Sequence, residues 1–238
     1  MKTTLLIATA LAICVPAMAD WDPGDPHKMH FPQLPDPNGW DVAATYPKVL
    51  ADDWMCSESG PVTDIHFWGS WRQDIVGDIT SIHVSIHDNI PEPPFSQPGE
   101  LLWERDFFPG EWAERVYGTG DQGWFNPNTG EAFPSDHDLF YQYNIVDIPE
   151  PFLQQRDAIY WLDISVMVED PAVMEWGWKT SLEHFEDDAV FGDLPDPQWT
   201  PLEDPFTGVT LDLAFVITPE PTSLALLALG TLALVRRR

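Results

Sequence analysis

Apolar and polar residues alternate with a period of two along several stretches of the chain. Ile82, Val84 and Ile86 are separated by single polar residues, and the runs 160–168 and 209–217 carry an apolar residue at every second position. Such alternation is typical of β-strands with one buried face, and long amphipathic helical patterns are absent. The pattern therefore predicts a protein built from half-buried strands.

The segments between the alternating runs are rich in Pro, Gly, Asn and Asp, as in residues 89–100 and 118–138. These residues favour turns and loops for separate conformational reasons. About eight strands with long turns predict a single all-β domain over residues 20–218, an antiparallel β-sandwich of jelly-roll type with Pro/Asp-rich loops. The Pro-rich lead-in at 20–50 is expected to pack along this domain.

The N-terminus has the layout of a secretory signal peptide. Lys2 gives a positive start, an apolar stretch ends at Val15, and Ala17 and Ala19 form the small-residue cleavage site. We expect the general secretion machinery to export the chain and signal peptidase to remove residues 1–19. The single remaining cysteine, Cys56, cannot form an internal disulfide, and we expect it to be buried.

The C-terminus ends in a short apolar segment and a basic cluster. Leu224–Val235 would span about 18 Å as a helix, against about 30 Å for a hydrocarbon core. The arginines Arg236, Arg237 and Arg238 would stay on the cytoplasmic side and leave the acidic domain outside. This combination predicts a short membrane helix that anchors a precursor temporarily.

The same segment carries a family resemblance. Pro219, Glu220 and Pro221, followed by the apolar helix and the arginines, resemble a PEP-CTERM sorting signal over residues 219–238. The resemblance implies recognition by an exosortase, a membrane-embedded thiol peptidase of Gram-negative bacteria, in systems that accompany exopolysaccharide production. It further implies cleavage near the motif and delivery to the cell surface or extracellular matrix. The end of the last strand should then lie at an exposed rim.

A second resemblance covers most of residues 20–218. The stretches 21–42, 51–71, 158–166 and 176–181 are similar to an uncharacterised domain of unknown function found in exported bacterial proteins. The resemblance implies no known activity, so no functional residue is carried over from it.

Charge narrows the range of partners. The chain carries 39 Asp and Glu against 11 Lys and Arg, a net charge of −28. Such a surface repels nucleic-acid phosphates and anionic lipid headgroups, so nucleic-acid binding is not expected. The carboxylates suit divalent cations, basic partners or solubility alone.

Metal candidates are few. Asp36, Asn38 and Asp41 flank a glycine with oxygen ligands near alternating positions, which suits calcium, although turn chemistry explains the same residues. His83 and His87 would lie about 13 Å apart on one strand, too far to share an ion. Calcium is therefore the only cofactor that the sequence proposes.

Tryptophan suggests sugar binding, with carboxylates and amides holding hydroxyl groups, although most indoles should be buried in the core. No G-x-S-x-G, H-E-x-x-H or P-loop motif occurs, so no enzyme activity is expected. The sequence thus predicts a structural or adhesive surface protein. The alternatives are a glycan-binding module acting with exopolysaccharide and, less favoured, a polysaccharide-active enzyme. The candidate stacking residues are Trp68, Trp71, Trp103, Trp112, Trp124, Trp176, Trp178 and Trp199.

Overall fold

A computed structural model describes the protein at residues 20–91, 93 and 95–219. Several predicted features lie outside these residues, and each of them remains a prediction. They are the signal peptide at 1–19 with Ala17 and Ala19, the motif residues Glu220 and Pro221, the helix Leu224–Val235, and the arginines Arg236, Arg237 and Arg238.

The described chain is all-β apart from one short 3₁₀ turn at Arg72–Asp74. The alternating runs of the sequence do form strands, and the longest ones occupy the middle of the chain. The strands are β1 (Trp40–Ala43), β2 (Lys48–Met55), β3 (Gly60–Pro61), β4 (Asp64–Trp71), β5 (Ile79–Ile90), β6 (Gln97–Phe107), β7 (Ala113–Asn126), β8 (Glu131–Ile145), β9 (Leu153–Gln154), β10 (Ile159–Val168), β11 (Trp176–Ser181), β12 (Val190–Asp193), β13 (Thr200–Pro201), β14 (Asp212–Leu213) and β15 (Phe215–Thr218).

Two large sheets pack as a sandwich. The six-stranded sheet has the order β13-β12-β2-β10-β5-β6, and the seven-stranded sheet has the order β14-β11-β1-β7-β8-β4-β15. Strand β11 also pairs with β4, so strands β11, β1, β7, β8 and β4 close into a small barrel. The sandwich prediction is confirmed, whereas the barrel closure was not predicted.

The expectation of a purely antiparallel arrangement is wrong at one pair. Strands β1 and β7 run parallel, with Trp40 opposite Gly123 and Val42 opposite Phe125. A parallel pair needs a long crossover, and here the chain passes through the six-stranded sheet between the two strands. The jelly-roll connectivity remains a prediction.

The core lies between the sheets and follows the period-two pattern. Phe67 and Trp176 of the seven-stranded sheet and Leu50, Leu162 and Ile164 of the six-stranded sheet belong to one buried cluster. On β10 the opposite face is buried as well, because a second, smaller cluster forms there. Its members are Ala51, Trp161 and Val190, with Trp199 packed against them.

The run 209–217 is not one strand as the alternation suggests. It divides at Ala214 into β14, which pairs with β11, and β15, which pairs with β4. The carbonyl of Ala214 accepts a hydrogen bond from the indole nitrogen of Trp178 at 2.9 Å, and Val209 is exposed. Strand β11 pairs with β4 at 176–178 and with β14 at 180–181, so the run 209–217 passes from one neighbouring strand to the other.

The lead-in packs against the domain, as expected. Trp21 and Met29 are buried, and the amides of Lys28 and Gln33 donate to the carbonyls of Ile217 and Phe215.

Cys56 is fully buried, also as expected. Its thiol donates to the carbonyl of Glu58 at 3.1 Å. Burial raises the pKa of this thiol, so it remains protonated in the folded domain.

Candidate functional site

Strand β15, which leads into the predicted sorting motif, is held on both sides. One side pairs with β4, where Ile217 lies opposite Ile65 and Thr218 opposite Asp64. On the other side, amides of the lead-in at 28 and 33 donate backbone hydrogen bonds to the strand. The segment that precedes the motif is therefore fixed to the body of the domain.

A chain of hydrogen bonds joins this strand to the start of the domain. The Nδ1–H of His66 donates to Oδ1 of Asn144 at 2.6 Å, and the hydroxyl of Thr218 donates to Nε2 of His66 at 3.1 Å. The amide of Asn144 donates to Asp20 at 3.3 Å. Burial lowers the pKa of His66 to about 4, so the ring is neutral and offers one donor and one acceptor.

The predicted exposed rim begins later than expected. Thr218 is buried because its hydroxyl reaches His66 and its backbone pairs with β4, whereas Pro219 is partly exposed. Pro219 is the only residue of the predicted motif that the structure describes. Sequence reasoning also missed two further Pro-Glu-Pro triplets, at 91–93 and at 149–151, and in the second of these Pro149 and Glu150 are exposed.

The predicted calcium residues are not brought together by the structure. Oδ1 of Asp36 accepts from the amide of Asn38 at 2.9 Å, and Oδ1 of Asn38 accepts from the amide of Asp121 at 3.2 Å. Asp41 is fully buried and binds Lys179 instead. Across the described part of the chain, no group of three His, Cys, Asp or Glu residues is arranged to hold a metal ion. Calcium binding stays a prediction.

The histidines of β5 make separate contacts, as the spacing predicted. His83 pairs with Asp106 at 2.8 Å, while Nε2 of His87 contacts both Ser85 at 2.9 Å and Asp163 at 3.1 Å. In a Ser-His-Asp triad the serine and the carboxylate bind opposite ring nitrogens. Here they share Nε2, and Nδ1 faces a backbone carbonyl on β6 instead. This trio does not have the geometry of an activated nucleophile.

Most candidate stacking tryptophans are buried. Trp103 is half-buried and donates its indole N–H to the carbonyl of Glu150, and Trp199 packs against the smaller cluster. Trp112 is different, because it is half-buried and lines two adjoining grooves of about 550 Å³ and 350 Å³. Among the eight candidates, the five indoles with 2% exposure or less are Trp68, Trp71, Trp124, Trp176 and Trp178.

The larger groove lies where the chain crosses from one sheet to the other. The turn at 108–111 connects β6 to β7 and closes through a hydrogen bond from the amide of Glu111 to the carbonyl of Phe108 at 2.9 Å. Pro109 at the second position and Gly110 at the third, with a φ of 98°, carry the signature of a type II turn. This turn places Trp112 at the groove.

Three carboxylates also line this groove: Asp78 before β5, Glu114 on β7 and Glu169 after β10. The amide of Glu169 donates to the carbonyl of Asp78 at 3.0 Å, which ties two of the segments together. Burial raises the pKa of Glu114, and the charge of Asp78 raises it further. We call Trp112 and these three carboxylates the Trp112 groove.

Comparison with known proteins defines the class and then the family. The family model described as PEP-CTERM protein-sorting motif matches residues 218–238, so the chain carries that motif at its C-terminus. The motif implies an exported precursor that is anchored in the membrane and processed to the cell surface by an exosortase-type system. The model described as domain of unknown function (DUF7901) matches residues 29–218, and the chain belongs to that family. No curated protein and no solved structure matches the chain.

The motif match spans every residue to which the sequence analysis assigns a role in sorting. Besides Pro219, it includes Glu220 and Pro221 and the terminal arginines Arg236, Arg237 and Arg238. Only Pro219 has a described position, so the roles of the other five rest on the match and not on geometry.

Within residues 20–91, 93 and 95–219, no helix is long and apolar enough to cross a bilayer. The predicted C-terminal anchor lies outside that part of the chain.

Proposed function

We propose that this protein is a structural or adhesive component of the surface matrix of a Gram-negative cell, sorted there by an exosortase. The PEP-CTERM match and the double attachment of β15 support the proposal. The precursor is held in the membrane through its C-terminal tail, so any pulling force on the tail acts first on the strand that precedes it. Hydrogen bonds on both edges of β15 resist the detachment of this strand from the domain.

The test replaces Pro219, Glu220 and Pro221 together by alanine in the full chain. We expect the variant to keep its terminal arginines and to lose most of its surface delivery, measured by mass spectrometry and surface labelling. One of the two internal Pro-Glu-Pro triplets, at 149–151, gives a matched control, because alanine there should leave sorting unchanged. Normal removal of the arginines in the first variant would contradict the proposal.

The Trp112 groove favours a second role, glycan binding within an exopolysaccharide matrix. The face of a half-buried indole can stack on a sugar ring, and carboxylates beside it can accept hydrogen bonds from the hydroxyl groups of the sugar. The side chains of Asp78, Glu114 and Glu169 make no hydrogen bond or ion pair within the described residues. These carboxylates therefore remain available to a ligand.

A glycan array probed with the full chain in detergent micelles, with and without calcium, tests this role. We expect binding that Trp112→Ala abolishes, since the stacking surface is lost. Phe206→Ala is the control, because Phe206 is an exposed aromatic that does not line the groove. Absence of a binding signal on the array, both with and without calcium, would refute glycan binding. Release of reducing ends from the glycans would show that the protein hydrolyses them instead of only binding them.

A further inference from the structure

The lining of the Trp112 groove has one sign of charge. Asp78, Glu114 and Glu169 contribute three carboxylates, and the lining includes no Lys, Arg or His among the described residues. The neighbouring Glu111 is not comparable, because Arg105 pairs with it at 2.8 Å and a backbone amide of the turn donates to it. Those contacts lower the pKa of Glu111.

The free carboxylates are not simply part of a solvated acidic surface. They converge on a concave site of about 550 Å³, and the indole of Trp112 forms part of its wall. The indole N–H of Trp112 has no partner among the described residues, so it remains available to a ligand hydroxyl or carbonyl. A cavity of this size accommodates one or two sugar rings.

From this arrangement we infer that the Trp112 groove binds a cationic amino sugar, with the ring on the indole and the ammonium among the carboxylates. The inference rests on the proposed glycan binding and specifies the ligand class. An ammonium gains from the aromatic face as well as from the carboxylates. An anionic sugar acid would be repelled, and a neutral sugar would leave the carboxylates without a counter-charge.

The state of Glu114 agrees with this assignment. Its pKa is raised because burial and the charge of Asp78 both disfavour the ionised form. An ammonium beside the two carboxylates would offset that penalty, so the groove discriminates in favour of a cationic ligand.

Two series of probes separate the charge from the sugar ring. Oligomers of β-1,4-linked glucosamine and their N-acetylated counterparts share the ring and the linkage, but only the first carry ammonium groups. Titrated against the full chain in detergent micelles, the glucosamine oligomers should bind at least about tenfold more tightly. Their binding should weaken as salt is added, because screening acts on the ionic contacts.

Substitutions test the residues. The double variant Glu114→Gln with Glu169→Gln should lose about tenfold in affinity for the glucosamine oligomers and change little for the acetylated ones. Its matched control is Glu100→Gln with Glu104→Gln, which removes two exposed carboxylates outside the groove. Both pairs lie at the surface, so folding should be retained and can be verified by unfolding curves.

The outcomes are distinct. Equal binding of the two oligomer series, or an unchanged affinity of the double variant, would overturn the amino-sugar inference and leave glycan binding in place. Absence of binding to every sugar would overturn both. Neither result bears on exosortase sorting, which the substitutions at 219–221 test separately.

Discussion

Asp41 in the closed barrel and Asp53 on the six-stranded sheet are both fully buried, but their surroundings differ. Asp41 is hydrogen-bonded to Lys179 and to Nε2 of His137, each at 2.9 Å, from two other strands of the barrel. Asp53 lies opposite Trp161 of β10, and neither of its carboxylate oxygens has a partner within the described residues. One carboxylate is compensated by a cation and the other is not.

The difference shows in proton binding. Burial raises the pKa of Asp53 to about 9, and the charges of Asp212, Asp187 and Glu186 contribute to the rise. Asp53 therefore remains protonated in the folded protein over most of the neutral range. A buried carboxyl can be tolerated either by pairing or by neutralisation, and this fold uses both solutions.

The largest expected effect on the free energy of unfolding comes from removing Asp41 from its ion pair with Lys179. Asp41→Asn leaves the ammonium of Lys179 buried without a counter-charge, which should lower the free energy of unfolding by about 3–5 kcal/mol. Urea unfolding would measure the loss. Asp121→Asn, an exposed control, should change stability by less than about 0.5 kcal/mol. A loss below about 1 kcal/mol for Asp41→Asn would show that the ion pair is unimportant.

Removing the unpaired carboxyl should have a pH-dependent effect. Between the usual pKa of 3.8 and about 9, folded Asp53 holds a proton that the unfolded chain releases. Stability of the native protein therefore falls as pH rises through this window, by up to about 1.4 kcal/mol per pH unit from this group. Asp53→Asn should remove that contribution.

Urea unfolding of both proteins across this window measures the difference, and the advantage of the variant should grow until about pH 9. Parallel stability curves for the two proteins would contradict the neutralised state of Asp53.

A smaller effect concerns His137, which links the barrel pair to Asp136 at 3.1 Å. Burial lowers the pKa of His137, but the hydrogen bond and charge of Asp41 and the hydrogen bond of Asp136 outweigh this effect, so the pKa is raised. Asp136→Asn should lower it, because the hydrogen bond that favours the protonated ring is weakened. NMR titration of the imidazole would measure this shift, with His87, which pairs with Asp163, as the internal control. An unchanged midpoint would exclude coupling to Asp136.

The smallest effect on stability is expected in the groove. Glu114 has no side-chain partner among the described residues, so Glu114→Gln should change the free energy of unfolding by less than about 0.5 kcal/mol. Urea unfolding beside Glu104→Gln measures it. A decrease in the free energy of unfolding above about 1 kcal/mol would show that this carboxylate stabilises the fold and is not free to bind a ligand.

Periodicity predicted which residues form the sandwich but not how the sheets close. The alternation of Ile82, Val84 and Ile86 fixes a buried face, and the structure confirms it. Alternation contains no information on strand partners. Neither the pairing of β11 with β4, which closes the barrel, nor the parallel pairing of β1 with β7 could therefore be derived. The break at Ala214 was missed for the same reason, since the apolar period continues through it.

The candidate site was predictable only in part. Sequence reasoning included Trp112 among eight indoles but could not separate it from the buried ones. Trp112 lies in the connection between β6 and β7, where no periodic pattern indicates which way a side chain faces. Asp52 and Asp53 are neighbours on β2, and one of two neighbouring strand residues should face solvent. Both are buried because the six-stranded sheet is covered on each side at this point.

The hydrogen-bonded chain through His66 has a topological consequence. Asp20 and Thr218 are separated by only the side chains of Asn144 and His66. The two ends of the folded domain are therefore neighbours, and a short peptide could join them while a new opening is cut at an exposed loop such as 127–130. Such a circular permutant should retain the sandwich and the Trp112 groove, although its chain would begin and end at a different place in the fold.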